Sequence, residues 1–435
     1  MIENTLKTIL LDFQELEITP STPRDLIVKP IPKKASICIG VRRSGKSTYL
    51  FQCIEKLLAD GIAKEQIVYI NFFDDRLHGL QRNNLHLILD VYYQLYPEHK
   101  DNKTVYYFFD EIQVCEGWEA FVDRLLRTEK CEIYITGSSA KMLSKEIATR
   151  MRGRSLSWEM FPFSFKEFLA HKKINPALPL STKKKAFVRK GFEQFWMNGG
   201  FPEVTELGKQ TRIRVHQEYF HSILFNDLIE RHNITHPKAL TDLAYWLIDN
   251  IGSMYTINRL ANYLKSLGHK IPKQSVSQYI EWFEDAYFLF TIRIFDASLA
   301  KANTNPKKIY CIDHAIITSI ASDILVNSGH LLENVVFVAL RRQHSKIYYY
   351  KTRTGKEVDF IIQTDKRKRL LIQVSETLID EQTRKREVDA LTEAMHEIPN
   401  SSGIIVTRSE HHKIETSAGV IDVIPIWLYL LEIEQ

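Results

Sequence analysis

The stretch "GVRRSGKST", residues 40–48, has the composition and spacing of a loop that holds phosphate. It fits G-x-x-x-x-G-K-[ST] at Gly40, Gly45, Lys46 and Ser47, with Val41, Arg42, Arg43 and Ser44 between the glycines and Thr48 after them. Glycines there let backbone N–H groups turn toward an anion at the N-terminus of the next helix. Lys46 is expected to reach the β- and γ-phosphates of a nucleotide, and Ser47 to offer its hydroxyl to Mg²⁺. Such a loop needs a carboxylate from a neighbouring strand. Asp110 and Glu111 supply a candidate pair directly after five apolar or aromatic residues, 105–109. Asp110 is the expected Mg²⁺ partner through water. Glu111, one residue on, is expected to polarise an attacking water.

The elements that must position these groups are legible. "SICIG" reads as a short buried strand, and "KSTYLFQCIEKLLADG" as a helix with apolar residues at Leu50, Ile54, Leu57 and Leu58, stopping on Gly61. "TVYYFFDEIQ" is a fully buried strand that ends on its two acids. "CEIYITGSSA", residues 131–140, is the next strand, and any of Thr136, Ser138 and Ser139 could orient water or touch a phosphate. Arg150, Arg152 and Arg154 follow a short helix, where an arginine serves either as a finger toward a neighbouring subunit or as a solvated surface charge.

Composition sets outer bounds. The chain has 435 residues, 44% of them hydrophobic, and a formal net charge of +5. That length implies several domains, and the mild basic excess permits nucleic-acid binding without arguing for it. The five cysteines include no CxxC pair, which disfavours a disulfide framework or a structural zinc site and fits a reducing cytoplasm. The start of the chain carries too many acids for a signal peptide, and no apolar run reaches membrane-spanning length.

At this point the chain resembles bacterial and archaeal AAA-type P-loop ATPases that carry a C-terminal restriction-endonuclease-like domain. The residues behind the resemblance are "GVRRSGKST", "FFDEIQVCEGWE", "ITGSSAKMLSKEIATRMRGRSLSWEMFPFSFKEFL", "NGGFPEV" and "TGKEVDFII". The resemblance implies an α/β ATPase core of ASCE type over 1–165 with parallel strand order 5-1-4-3-2. A helical lid over 166–236, a winged helix-turn-helix over 237–298 and a nuclease-like α/β domain over 299–435 would follow. It implies ATP and Mg²⁺ as ligands. It also puts Ser138 on the sensor strand and Arg154 on the "GR" that follows.

Residues 237–298 support the winged-helix outline by themselves: three helical stretches, a glycine at 268, then the β-like "YFLFTIRIF". Lys270, Lys273, Gln274, Ser277 and Gln278 would enter a DNA groove if the unit reads DNA; a protein contact or lid is the other reading. "KKIYCIDHAI" ends in Asp313–His314, for which a structural turn is expected, since no third catalytic partner is visible.

The order helix with Glu333, hairpin with Glu357 and Asp359, then the strand "LLIQVSETL" resembles the core of PD-(D/E)XK nucleases. That core uses an Asp, a Glu on the next strand and a Lys two residues later. Here Asp359 keeps the first place, Gln373 replaces the Glu and Ser375 replaces the Lys. A neutral amide weakens Mg²⁺ binding, and serine supplies no cation to the transition state. A nuclease fold without efficient cleavage is expected, with "TDKRKRL", 364–370, as a local basic cluster.

The expected function is therefore a Mg²⁺-dependent ATPase acting on DNA as a homo-oligomer, with a ring as one form of it, and with no membrane partner. A slow nucleotide switch for a protein partner is the alternative, and an ATP-powered nuclease a third.

Overall fold

Strands that are apolar on both faces need cover on both sides, and parallel sheets receive it from crossover helices. The first unit, Met1–Pro162, is built this way. The structure, a computed structural model, describes residues 2–138, 149, 151–296, 298–321, 327–364 and 368–433. Strands β1 (Ala35–Gly40), β2 (Ile67–Asn71), β3 (Val105–Asp110), β4 (Cys131–Ser138) and β5 (Ser155–Glu159) form one sheet in the order β2-β3-β4-β1-β5. Each neighbouring pair is parallel. This is the expected order 5-1-4-3-2, with β4 inserted between the loop-bearing strand and the acid-bearing one.

Helices α1 (Ile2–Glu15), α2 (Lys46–Ala59), α3 (Leu87–Leu95) and α4 (Trp118–Thr128) pack around this sheet. Alternation on β3 sorts them by face. Phe108 stacks on Tyr134 at 4.6 Å between ring centroids and shares a cluster with Phe13 of α1 and Leu50 and Ile54 of α2. Phe109 points the other way, onto Phe121 of α4. Each of these fully buried rings contributes roughly 1.5–3 kcal/mol, so the strand that ends on Asp110 is held rigidly from both sides.

The second unit is Phe163–Gln435. It opens with helices α5 (Phe165–His171), α6 (Thr182–Asn198) and α7 (Lys209–Ser222). Next come α8 (Pro237–Asp249), the short strand β6 (Met254–Tyr255), α9 (Ile257–Ser266) and α10 (Lys273–Asp285). Strands β7 (Leu289–Ile294) and β8 (Lys307–Cys311) follow, then α11 (Ser328–Gln343), β9 (Tyr348–Lys351), β10 (Glu357–Gln363) and β11 (Arg369–Val374). Helix α12 (Glu381–Glu397) leads to β12 (Ser401–Thr407), β13 (His412–Thr416) and β14 (Gly419–Pro425).

These nine strands form a mixed sheet in the order β13-β14-β12-β11-β10-β9-β7-β8-β6. Leu391 and Ala394 of α12 cover its centre with Val358, Leu371, Ile405 and Val423. The expected boundary at 298/299 falls inside this sheet, because β7 pairs with β8 on one side and with β9 on the other.

The turn "NGGFPEV" has a steric cause. Gly199 sits at φ +75°, and a Cβ there would meet Ala315 Cβ at 2.8 Å and run into the Asp313 carboxylate. Gly200 N–H donates to Asp313 Oδ2 at 2.6 Å. Asp313 Oδ1 also caps the helix His314–Ile320 through the Ala315 and Ile316 amides. The His314 ring stacks on Trp196, and its Nε2 bonds the Phe195 and Trp196 carbonyls. The Asp313–His314 pair is thus structural, as expected.

Candidate nucleotide-binding site

Strand β1 delivers the chain to the loop at Gly40, and α2 begins at Lys46. Gly45 precedes it in the left-handed region, at φ +95°. That conformation favours glycine and explains the second fixed glycine of the motif. Lys46 is 5% exposed, and its Nζ bonds the carbonyls of Gly40 and Val41, 3.1 Å each. Ser44 is fully buried and its Oγ has no hydrogen-bond partner among the described residues. A buried ammonium and an orphaned hydroxyl in one glycine loop fit a polyphosphate that would engage both. Ser47 is half-buried at the first turn of α2, Arg42 is half-buried, and Arg43 and Thr48 are exposed.

The acids stand at the C-terminal end of β3, two strands from the loop. Asp110 is 1% exposed. Its Oδ2 accepts from the Tyr69 hydroxyl at 3.0 Å, and its Oδ1 accepts from Thr136 Oγ1 of β4. Burial, reinforced by the Asp110 charge, pushes the Tyr69 phenol up, so Tyr69 stays a proton donor to Asp110. Thr136 Oγ1 also accepts the Glu111 amide at 3.1 Å. Glu111 itself is left-handed, at φ +54°, and its Oε2 accepts from Gln113 Nε2. One threonine therefore orients both acids: it fixes one carboxylate rotamer and the backbone of the next residue.

Of the three hydroxyl candidates on this strand, Thr136 is seen at the acids. Ser138 pairs with Gly40 in the β1–β4 register; its side chain, Ser139 and Arg150 lie outside the described residues. Arg154 is placed differently from the acids. Ala35 N–H donates to its carbonyl at 2.9 Å, and Ser155 pairs with Ala35, so Arg154 lies at the N-terminal edge of the sheet. The strand runs five residue steps from Ala35 to Gly40, about 17 Å. Arg154 cannot touch phosphates on its own loop. Its guanidinium bonds Asp123 Oδ1 at 2.8 Å.

Arg24 is a participant that the motif spacing did not reveal. Its Nη1 donates to the Ser44 carbonyl at 2.7 Å, and its Nη2 to the Phe161 carbonyl at 2.5 Å. It thus ties the loop to the segment after β5. The same stretch meets α2: Tyr49 donates to the Leu26 carbonyl at 2.8 Å, and Gln52 to the Thr22 carbonyl at 2.7 Å. The only hint in sequence is an arginine directly after Pro23, ahead of the short apolar run Leu26–Val28.

Glu333, Asp359, Gln373 and Ser375 fall in the second unit, and the first three belong to one hydrogen-bonded cluster. Gln373 gives its Nε2 to Glu387 at 2.6 Å and accepts the Asp359 amide at 3.3 Å, so both ends of the amide are engaged. Ser375 donates to the Thr377 carbonyl. Asp359 and Glu333 both bond Lys308, which the motif comparison did not include. Burial, then the Asp359 charge, raises the Glu333 carboxyl to about 7. Burial alone would lower the Lys308 ammonium, but Asp359 and Glu333 hold it well above its usual range. Among the described residues no group of three His, Cys, Asp or Glu side chains is arranged to hold a metal ion. The five cysteines are free, and burial pushes the Cys38 thiol up to about 12, far from reactive. No helix among the described residues is long and apolar enough to cross a membrane.

A parallel sheet with a glycine loop after its fourth-placed strand, and acids on the strand beyond an inserted one, defines an AAA-type P-loop ATPase domain. An AAA domain model matches residues 32–169. Two domains of unknown function, DUF8612 and DUF4143, match residues 189–324 and 328–429. The chain is 35% identical over 419 residues to the uncharacterized protein MJ1544 of Methanocaldococcus jannaschii, across 94% of this chain and 90% of that one. It belongs to that protein's family. An uncharacterized protein of Haemophilus influenzae is 29% identical over 324 residues, 74% of this chain and 78% of its own. Among solved structures, the Walker-type ATPase of Pyrococcus abyssi aligns with TM-score 0.43 and 13% identity, covering 73% of this chain and 95% of that one. The Orc1 protein of Aeropyrum pernix, solved in complex with DNA, aligns with TM-score 0.28 and 11% identity over 74% and 92%.

Proposed function

We propose that the chain is a Mg²⁺-dependent ATPase whose nucleotide cycle acts on DNA through its second unit. The observation that carries the hydrolytic part is the shared hydrogen-bond frame of Asp110, Glu111 and Thr136 at the loop-bearing edge of the sheet. Lys46 and the loop amides would bind the phosphates, and Ser47 with Asp110 would hold Mg²⁺. The metal would draw negative charge off the phosphate oxygens. Glu111 would accept a proton from water, with its backbone fixed through Thr136. Arg154 would act on a second copy of the chain in an oligomer, after exchanging Asp123 for a phosphate.

DNA contact has support from the order helix, short strand, two helices and hairpin, α8 to β8, which is that of a winged helix. Lys270, Lys273, Gln274 and Gln278 are exposed on and before α10, while Ser277 is half-buried. The basic cluster at 364–370 falls partly outside the described residues. A slow switch for a protein partner is favoured by one observation: Gln113 already engages the Glu111 carboxylate. The nuclease-like core is read as non-cleaving, since Gln373 and Ser375 are bound elsewhere.

Steady-state ATP hydrolysis with Mg²⁺ at low salt, with and without double- and single-stranded DNA, tests this reading. Low salt is used because phosphate contacts weaken steeply as salt rises. Lys46→Ala is expected to abolish turnover, and DNA to stimulate the parent. A Lys46→Ala variant that hydrolyses ATP at the parental rate sinks the ATPase reading. Turnover indifferent to DNA shifts the assignment to the protein-partner switch.

A further inference from the structure

Three carboxylates of the second unit converge on one nitrogen. Lys308 Nζ lies 2.8 Å from Glu333 Oε1, 2.7 Å from Glu357 Oε1 and 2.8 Å from Asp359 Oδ1. Its side chain is 3% exposed. The three acids come from two elements, α11 and β10, and the lysine from a third, β8. In the sheet order β8 is separated from β10 by β7 and β9. Strand β7 joins β9 through only Arg293↔Tyr348 and Ile294↔Tyr349 among the described pairs, and Lys308 of β8 nonetheless bonds Asp359 of β10.

The acids are those that the nuclease-like core would present to a divalent cation, and a Mg²⁺ there would require oxygen contacts of about 2.0–2.1 Å. Distances of 2.7–2.8 Å are instead those of N⁺–H···O⁻ bonds. An ammonium has three N–H donors, and here each has one carboxylate. Tyr310 adds a fourth contact, donating to Glu333 Oε1 at 2.6 Å. Asp359 Oδ2 is taken by the Val374 amide at 2.9 Å. Three carboxylates against one ammonium leave the cluster short of positive charge. Glu357 is 35% exposed, so a hydrated ion has a path to the acids.

We propose that Lys308 is a built-in cation occupying the divalent-metal position of this core, which closes it to metal. The residues do not fit a resident metal because the position is already filled covalently by the chain itself. The loss of nuclease chemistry is then twofold. Gln373 and Ser375 remove the catalytic groups, and Lys308 removes the metal. The same lysine pins β8 to β10, so this cation is structural and cannot exchange. This inference rests on the nuclease-like reading of the core and is independent of the ATPase reading.

Mn²⁺ binding followed by electron paramagnetic resonance tests it on the full chain without nucleotide. The chains compared are the parent, Lys308→Met and Lys308→Met/Asp359→Asn. Methionine keeps the volume of the stem and removes the charge. The expected result is one Mn²⁺ per chain gained by Lys308→Met over the parent and lost again in the double variant. Comparison with the parent cancels Mn²⁺ bound at the phosphate loop. A folded Lys308→Met chain that gains no Mn²⁺ overturns the proposal. So does a parental chain that binds a Mn²⁺ which Asp359→Asn removes.

Lys308→Met leaves buried carboxylates without a counter-charge, so folding is itself a readout. If it does not fold in chelator, Mn²⁺ in the refolding buffer is expected to rescue it. Lys308→Met/Glu357→Gln, with one charge fewer, repeats the comparison. Failure of both variants to gain or be rescued by Mn²⁺ overturns the proposal. None of these variants is expected to cut DNA, since Gln373 and Ser375 remain.

Discussion

Thr136→Val isolates one hydroxyl at the centre of the candidate site. The side chain is fully buried, so valine fills the same space and leaves no cavity. What is lost is one oxygen with two tasks. It donates to Asp110 Oδ1 and accepts the Glu111 amide. A hydrogen bond to a charged group is worth roughly 1.5–3 kcal/mol, and a buried orphaned N–H costs roughly 1–3 kcal/mol. Some relaxation recovers part of this, so a loss of about 2–4 kcal/mol in the stability of the first unit is expected.

Two readouts follow, and only the second depends on the proposed function. Hydrogen exchange of the Glu111 amide should accelerate, because its acceptor is gone. ATP turnover should fall about 30- to 100-fold, the scale of a reacting group displaced by about an ångström. Nucleotide affinity should change little, because Lys46 and the loop are untouched. Thr136→Ser keeps the hydroxyl and should restore exchange protection and most of the turnover. A Thr136→Val chain with unchanged Glu111 exchange and turnover within about threefold of the parent would falsify the account of the site.

Arg24→Ala removes the bridge from the Ser44 carbonyl to the Phe161 carbonyl. Nucleotide affinity measured by calorimetry should weaken about tenfold, equivalent to one charge-assisted bond of about 1.4 kcal/mol, and Arg24→Lys should recover only part, lacking the fork that spans both carbonyls. Unaltered affinity would show that the loop needs no such brace. For Glu333 the sign of the pH effect is set by its raised carboxyl, about 7 when folded against 4.5 ordinarily. The folded chain prefers Glu333 protonated. That contribution is full below pH 4.5 and is lost as pH rises through about 7. Relative to Glu333→Gln, the parent should lose up to about 3 kcal/mol of stability across that window. Denaturant unfolding at several pH values checks this, and a parent-to-variant difference that stays flat from pH 4.5 to 7.5 contradicts it.

The parts of the site that were legible in sequence are those where backbone geometry imposes a residue type. Gly45 needs a left-handed φ, Lys46 must follow it at the helix start, and Asp110 must end a strand covered on both faces. Each leaves a local signature, and the structure brings all three to one edge of the sheet. The parts that were not legible depend on contacts between distant segments. Thr136 was one of three hydroxyls, and only the pairing of β3 with β4 picks it out. Arg24 acts through carbonyls, which carry no sequence signal at the receiving end. The pairing of β7 was not legible for a related reason: it looks like the end of one pattern, yet both its edges are paired.

Lys308 shows how much such distant pairing can change a reading. In "KKIYC" it alternates with Tyr310, so the two share a strand face, but a lysine inside a short strand is ordinarily an edge or solvent residue. The substitutions at Gln373 and Ser375 could be judged against a motif because they fall at motif positions. The residue that fills the cation position cannot, because it comes from an element the motif does not include. Degeneracy of an acidic metal site is therefore incompletely described by its missing ligands. A strand from outside the motif can bring a permanent cation, and acids gathered around that cation, once it is buried, are held there as its counter-charges.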